Sequence, residues 1–326
     1  MAVYTQLGAE ALGTIIESFD VGTLVSAKGI AEGVSNSNWL IETRGTDGSG
    51  ARFILTMYEQ RTDVGELPFF LGLLDHLAAR GCPVPRTIHD RDGSTYRFHE
   101  GKALALIEFL PGVSLSKPTP PQAHAVGAAL AKVHVAAADF PGTRANTLAL
   151  ADWQALAEAC GPAGLASIDP DLAGLVEREM AVLAREWPRD LPHSVIHADL
   201  FPDNVLMLGD TVSGLIDFYF ACTDITAYDL AITHAAWCFG DSGRTFNPQV
   251  SQALMAGYRS IRSLSQEEQA KLPILARGAA MRFLMTRSYD WLNTASDALV
   301  TRKDPMAFAR RLEFYADPRN AGCFAA

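Results

Sequence analysis

Three short runs near the start of the chain alternate apolar and polar residues. They cover 24–29, 38–43 and 52–58 and are predicted to be strands. Thr46-Asp47-Gly48-Ser49-Gly50 supplies a hairpin turn between the second and third. The period then changes. Phe70, Leu73, Leu74 and Leu77 recur at helical spacing over 67–80, Gly81 ends that helix, and Pro83 and Pro85 forbid its continuation. Runs 87–90 and 96–99 flank Asp92-Gly93, a second hairpin signal, and 103–109 is a nearly continuous apolar strand. Leu110-Pro111-Gly112 breaks the pattern, and the stretch to Pro121 is rich in Ser and Pro, as a connection between lobes would be. Beyond it, helices are predicted over 122–138, 172–186, 248–262, 266–291 and 304–315, with one β island at 194–221 that turns at Gly209-Asp210. The fold class is therefore α+β with two lobes. Residues 1–110 form a small β-rich N-lobe, and residues 111–326 a larger helical C-lobe with an embedded hairpin.

Composition narrows the function without naming it. Hydrophobic residues make up 48% and charged residues 20% of the 326, which excludes wholesale disorder. Twenty-seven Lys and Arg stand against 37 Asp and Glu, for a net charge of −10. No nucleic-acid partner and no anionic membrane surface is expected of so acidic a chain. No run reaches the apolar length of a membrane span. MAVYTQLGAEAL lacks the basic flank and apolar core of a signal peptide. Five scattered cysteines with no C-x-x-C pair read as reduced thiols, so a cytoplasmic location is expected.

The chemistry concentrates in His197-Ala198-Asp199-Leu200-Phe201-Pro202-Asp203-Asn204, followed by the apolar run Gly214-Leu215-Ile216 that ends in Asp217. Pro202-Asp203-Asn204 is a good turn in its own right. The full spacing is H-x-D-x-x-x-x-N with a later Asp, and it matches what phosphoryl transfer requires. One carboxylate, Asp199, would orient the attacking hydroxyl and take its proton. A second, Asp217, with the amide oxygen of Asn204, would hold Mg2+ against nucleotide phosphates. His193 and His197 are four apart on a strand-like run with no third ligand nearby. His197 is read as a brace for the loop in preference to a zinc ligand.

HADLFPDNV and GLIDFYFA resemble the aminoglycoside phosphotransferase and choline kinase superfamily, which has a protein-kinase-like fold. Asp217 is followed by Phe218-Tyr219, so the D-F-G of protein kinases is missing, and no A-P-E lies downstream. The resemblance implies a small-molecule kinase that uses ATP and Mg2+. It gives Asp229, in Tyr228-Asp229-Leu230-Ala231, a structural role beneath the catalytic loop. Residues 28–38 would present backbone N–H groups of Gly33, Ser35 and Asn36 to phosphates, and backbone around Glu108 and Leu110 would meet adenine. One position departs from the kinase pattern. The strand lysine that reaches the phosphates is replaced by Thr56, so Glu66 on the following helix lacks its usual partner.

LTMYE, GVSNSNW, Gly81-Cys82-Pro83-Val84-Pro85, Ile107-Glu108-Phe109-Leu110-Pro111-Gly112 and the segment 280–291 together resemble the homoserine kinases built on this fold. That resemblance implies phosphorylation of the side-chain hydroxyl of L-homoserine on the route to threonine. Such a substrate needs a cation for its carboxylate, for which Arg282 and Arg287 are candidates, and an acid for its ammonium, Asp203 or Asp224. Two alternatives stay open: a kinase of choline, methylthioribose or an aminoglycoside, and a nucleotide-binding module that has lost catalysis.

Overall fold

Helix α1 (Ala9–Glu17) packs Leu12, Ile15 and Ile16 onto a sheet that begins with strand β1 (Thr23–Ile30). β1 pairs antiparallel with β2 (Ser37–Arg44), and β2 with β3 (Gly50–Met57). Along β2 the inward positions Ser37, Trp39, Ile41 and Thr43 alternate with half-buried ones, the period of a strand with one covered face. These coordinates are a computed structural model and describe residues 5–30, 36–59, 63–294 and 302–325. The chain divides into two compact units, Met1–Pro111 and Gly112–Ala326.

In the first unit the next elements are α2 (Leu67–Ala79), β4 (Thr87–Ile88), β5 (Arg97–His99) and β6 (Lys102–Glu108). The sheet order is β1-β2-β3-β6-β4, with β5 also on β6. The Asp92-Gly93 hairpin is corrected here. β4 and β5 do not pair with each other, and each pairs with a different stretch of β6. The turn is organised by Asp90, whose buried carboxylate accepts from the N–H groups of Asp92 and Ser94 and pairs with Arg97 at 2.6 Å. Helix α1 was not expected from the sequence pattern. It buries its three large apolar residues against Trp39, Ile41, Leu55, Met57, Leu104 and Leu106.

The second unit contains α3 (Pro120–Ala136), α4 (Leu150–Ile168), α5 (Leu172–Glu186), β7 (His193–Ile196), β8 (Val205–Leu208), β9 (Thr211–Leu215) and β10 (Cys222–Ile225). Helices α6 (Thr226–Trp237), α7 (Pro248–Arg259), α8 (Gln266–Asn293) and α9 (Met306–Ala316) complete it. β8 and β9 form the hairpin across Gly209-Asp210, and β7 pairs antiparallel with β10. Helix α6 is buried along its entire length. Helix α8 starts at a capping box in which Ser265 and Glu268 satisfy each other's backbone N–H groups. Helices α3 and α7 approach so closely that a Cβ at Gly127 would strike the carbonyl of Leu254, and one at Gly257 the carbonyl of His124. Among the described residues no helix is long and apolar enough to cross a membrane.

Candidate active site

The end of β7, the loop to β8 and the end of β9 meet at one point of the second unit. Register pairs Val205 with Leu215, and the N–H of Ile216 donates to the carbonyl of Asn204 at 3.0 Å. That bond sets Asn204 beside Asp217. The amide of Asn204 is turned toward Asp199. Its Nδ2 donates to the Asp199 carbonyl at 2.8 Å and to Asp199 Oδ2 at 3.3 Å. With the nitrogen so engaged, Oδ1 faces away with no hydrogen bond among the described residues. The hairpin thus brings together Asp199, Asn204 and Asp217.

The loop is strained and held from below. Ala198 has φ 63° and Asp217 φ 65°, left-handed conformations that cost a residue with a side chain about 1–2 kcal/mol. Buried Asp229 on α6 accepts from the N–H of His197 at 2.7 Å and of Ala198 at 2.9 Å. Burial alone would raise the Asp229 carboxyl. The hydrogen bond and charge of His134, with the N–H of His197, outweigh it and hold the group below the usual carboxylate range. Arg282 on α8 donates to the carbonyl of Ala198. His197 Nε2 faces the Ile216 carbonyl at 3.0 Å and so carries the proton, which leaves Nδ1 to accept from the N–H of Asp199 at 3.2 Å. Burial lowers this histidine's pKa, in keeping with a neutral ring.

Burial pushes the Asp199 carboxyl up to about 7. Arg282 pulls the other way, while Asp217 and Asp203 add to the rise. Asp217 reaches solvent, yet the protein mass around it still raises its carboxyl, partly offset by the backbone N–H of Tyr219. Two hard oxygen donors, a carboxylate and an oriented amide oxygen, fit Mg2+. That ion commonly takes only one or two protein ligands beside water and phosphate. Both nitrogens of His197 are occupied, and His193 Nδ1 bonds the Leu191 carbonyl, so this pair is not arranged as a zinc site.

The other expected residues are placed as follows. Gly33 and Ser35 lie outside the described residues. Asn36 is buried and its Oδ1 accepts from the N–H of Glu59 at 3.4 Å. The N–H of Glu108 is taken by the Arg86 carbonyl and its carboxylate by the Arg86 guanidinium, so neither is free for a nucleotide. Leu110 is half-buried beyond β6. Thr56 is buried and donates to Asn38 Oδ1, while Lys102 pairs with Glu59 at 2.6 Å. Asp203 is exposed and lies 3.9 Å from Lys303. Asp224 accepts from Asn146 at 2.6 Å and from the N–H of Ile225. Arg282 is buried against the loop, and Arg287 is half-buried over the Phe308 ring. Sequence reasoning missed His134, Tyr258 and Arg311. His134, four residues before Ala138 in a predicted helix, carried no motif, and Arg311 looked like any helical surface cation.

The Phosphotransferase enzyme family matches residues 26–264. A homoserine kinase of Azorhizobium caulinodans is 49% identical over 315 residues, 97% of this chain and 96% of the relative. One from Nitrobacter hamburgensis is 50% identical over 314 residues, 96% and 94% of the two chains. In fold, an amicoumacin kinase solved with AMP-PNP and Ca2+ superposes with TM-score 0.68 at 15% identity, covering 95% of this chain and 94% of its own. A spectinomycin phosphotransferase in complex with ADP and spectinomycin gives 0.68 at 14% identity, covering 98% and 99%. With near-half identity along almost all of both chains, the chain belongs to the phosphotransferase enzyme family, among its homoserine kinases.

Proposed function

We propose that this protein transfers the γ-phosphoryl group of ATP to the side-chain hydroxyl of L-homoserine, giving O-phospho-L-homoserine and ADP in the cytoplasm, as a step toward threonine. The observation that carries it is the 49% identity to a homoserine kinase over 97% of the chain. The geometry of the loop supports the chemistry. Asp199 is the proposed base. Its carboxyl, raised to about 7, is poised to orient the hydroxyl and take its proton as the oxygen bonds to the γ-phosphorus and the bond to ADP breaks. Asn204 and Asp217 would hold Mg2+, which when bound neutralises phosphate charge. The N-terminal unit is assigned the nucleotide, and residues 112–326 the base, the metal ligands and the acceptor.

The test is ADP release by purified protein offered homoserine, choline, methylthioribose or kanamycin. Turnover should be fastest with homoserine, and phosphorus NMR should show its phosphate ester. Asp199→Asn should lower kcat by about 10²–10⁴ with little change in the KM for ATP. Preference for another acceptor, or full activity of that variant, would overturn the reading.

A further inference from the structure

Three arginines in the second unit, Arg282, Arg287 and Arg311, form no ion pair with any carboxylate among the described residues, although each is buried or half-buried. Arg282 likewise has a buried Nε with no hydrogen-bond partner among the described residues, but it donates to the Ala198 carbonyl beside Asp199 and lies over the Phe283 ring at 4.8 Å, so its charge serves the loop. Arg287 and Arg311 have no such contact with the loop. Their guanidiniums stand over the same ring, Phe308, at 4.5 and 4.3 Å from its centre. Each donates only to a backbone carbonyl, Arg287 to Asp304 and Arg311 to Gly240. Arg311 is 4% exposed and its Nε is buried with no hydrogen-bond partner among the described residues.

Two carboxylates near the pair are engaged elsewhere. Asp304 accepts from Arg310 and from the N–H of Met306, and Asp203 lies beside Lys303. Asp199 and Asp203 reach Arg287, and Asp241 reaches Arg311, through their fields, with no ion pair among the described residues. Burial and the charge of Arg287 push Arg311 down to about 10. Two like charges on one ring, one of them sealed from water, are costly unless an anion joins them, and the faces of Phe308 and Phe239, the latter 5.6 Å from Arg311, offset only part of that cost. The ring itself leads back to the reaction. Phe308 packs on Phe283 at 5.0 Å and on Phe201 of the catalytic loop at 6.1 Å, and Asp199 lies within the field of Arg287.

We propose that Arg287 and Arg311, joined by Phe308, form the subsite for the α-carboxylate of the acceptor, and that Arg282 does not belong to it. The inference rests on the homoserine reading above. Homoserine carries its hydroxyl and carboxylate at opposite ends of a four-carbon chain, so a carboxylate held here would extend the hydroxyl toward Asp199. Arg287, which reaches solvent, makes the first contact. Arg311 behind it supplies the second fork and fixes the position. The pair then selects amino-acid alcohols over amino alcohols of the same length.

The experiment compares kcat/KM for L-homoserine with that for 3-amino-1-propanol, the same molecule without the carboxylate. The readout is their ratio, which cancels any general loss of active protein. Arg287→Gln and Arg311→Gln should each lower the ratio about ten- to hundredfold, the effect of losing a charge-assisted hydrogen bond. Arg287→Lys should restore part of it. If buried Arg311→Gln does not fold, half-buried Arg287→Gln decides the matter. A ratio unchanged within about twofold in the variants that fold would overturn the subsite while leaving the homoserine reading intact. Wild-type protein that does not phosphorylate homoserine would overturn both.

Discussion

At the residue scale, the candidate site depends on backbone that ordinary residues avoid. Ala198 and Asp217 both lie at positive φ, the first beside the proposed base and the second a proposed metal ligand. For Ala198 the strain is opposed by bonds from Asp229 and Arg282 to its peptide groups. For Asp217 no ion pair is formed among the described residues, and its carboxylate accepts from the backbone N–H of Tyr219. Asp217→Asn should therefore leave folding nearly intact but raise the Mg2+ concentration for half-maximal activity by at least about tenfold, since even outer partners of a metal ligand contribute ten- to hundredfold. A metal titration with ADP release as the readout checks this, and an unchanged midpoint removes Asp217 from the proposed metal site. Asp199, Asn204 and Asp217 were legible in the sequence because one hairpin brings them together, and its register follows from local alternation and a Gly-Asp turn. Arg311 was not, because its meaning lies in the absence of a carboxylate partner, which only tertiary packing reveals. Glu108 shows the converse. Its place in the strand was legible, but the bond from its N–H to the Arg86 carbonyl was not.

At the element scale, four helices are tied to the catalytic loop by one line of hydrogen bonds. Glu268, in the cap of α8, pairs with Arg262 at 2.7 Å, and Arg262 donates to the Tyr258 hydroxyl on α7. The same hydroxyl lies 2.8 Å from His134 Nδ1 on α3. His134 Nε2–H then donates to Asp229 on α6, which holds the N–H groups of His197 and Ala198. Tyr258→Phe leaves two buried groups short of a partner and should cost about 1–3 kcal/mol. His134→Ala leaves the Asp229 charge poorly compensated and should cost about 3–5 kcal/mol. Urea unfolding measures both, and kcat should fall with them even where the protein is fully folded. Stability losses below 0.5 kcal/mol in both would show the line to be incidental. Strongly periodic helices such as α2 and α5 were legible. Helix α1 was missed because it is short and carries Gly13 at its middle. Helix α4 was missed because Gly161-Pro162 interrupts it, with Gly161 at φ 65°. Helix α6 has no polar face to read, being buried on every side.

At the scale of the whole molecule, the C-terminal end is fastened by a second buried histidine. His234 on α6 lies 2.7 Å from Ser251 on α7 and 2.6 Å from Tyr315 on α9. Ser251 gives its proton to the Cys323 carbonyl, so it accepts from His234 Nε2–H, and Nδ1 accepts from Tyr315. The neutral ring is thus fully bonded, and burial lowers its pKa to about 3. The unfolded chain binds a proton on this residue near pH 6.5, whereas the folded chain does so only near 3. Between those values the unfolded state holds more protons. The contribution of His234 to stability is therefore complete above about pH 6.5 and is lost as pH falls toward 3, by up to about 1.4 kcal/mol per pH unit. Asp229, held below the usual carboxylate range, acts in the same sense at lower pH. Other groups titrate in this window too, so the measurement is a difference: unfolding free energy from pH 7.5 to 4.5 for the protein and for His234→Gln. The variant should be less stable at pH 7.5, and the gap should close as the solution is acidified. Parallel curves would mean that folding leaves the His234 pKa unchanged, and a gap that widens on acidification would mean that α6, α7 and α9 are joined at this point by a charge and not by a neutral ring.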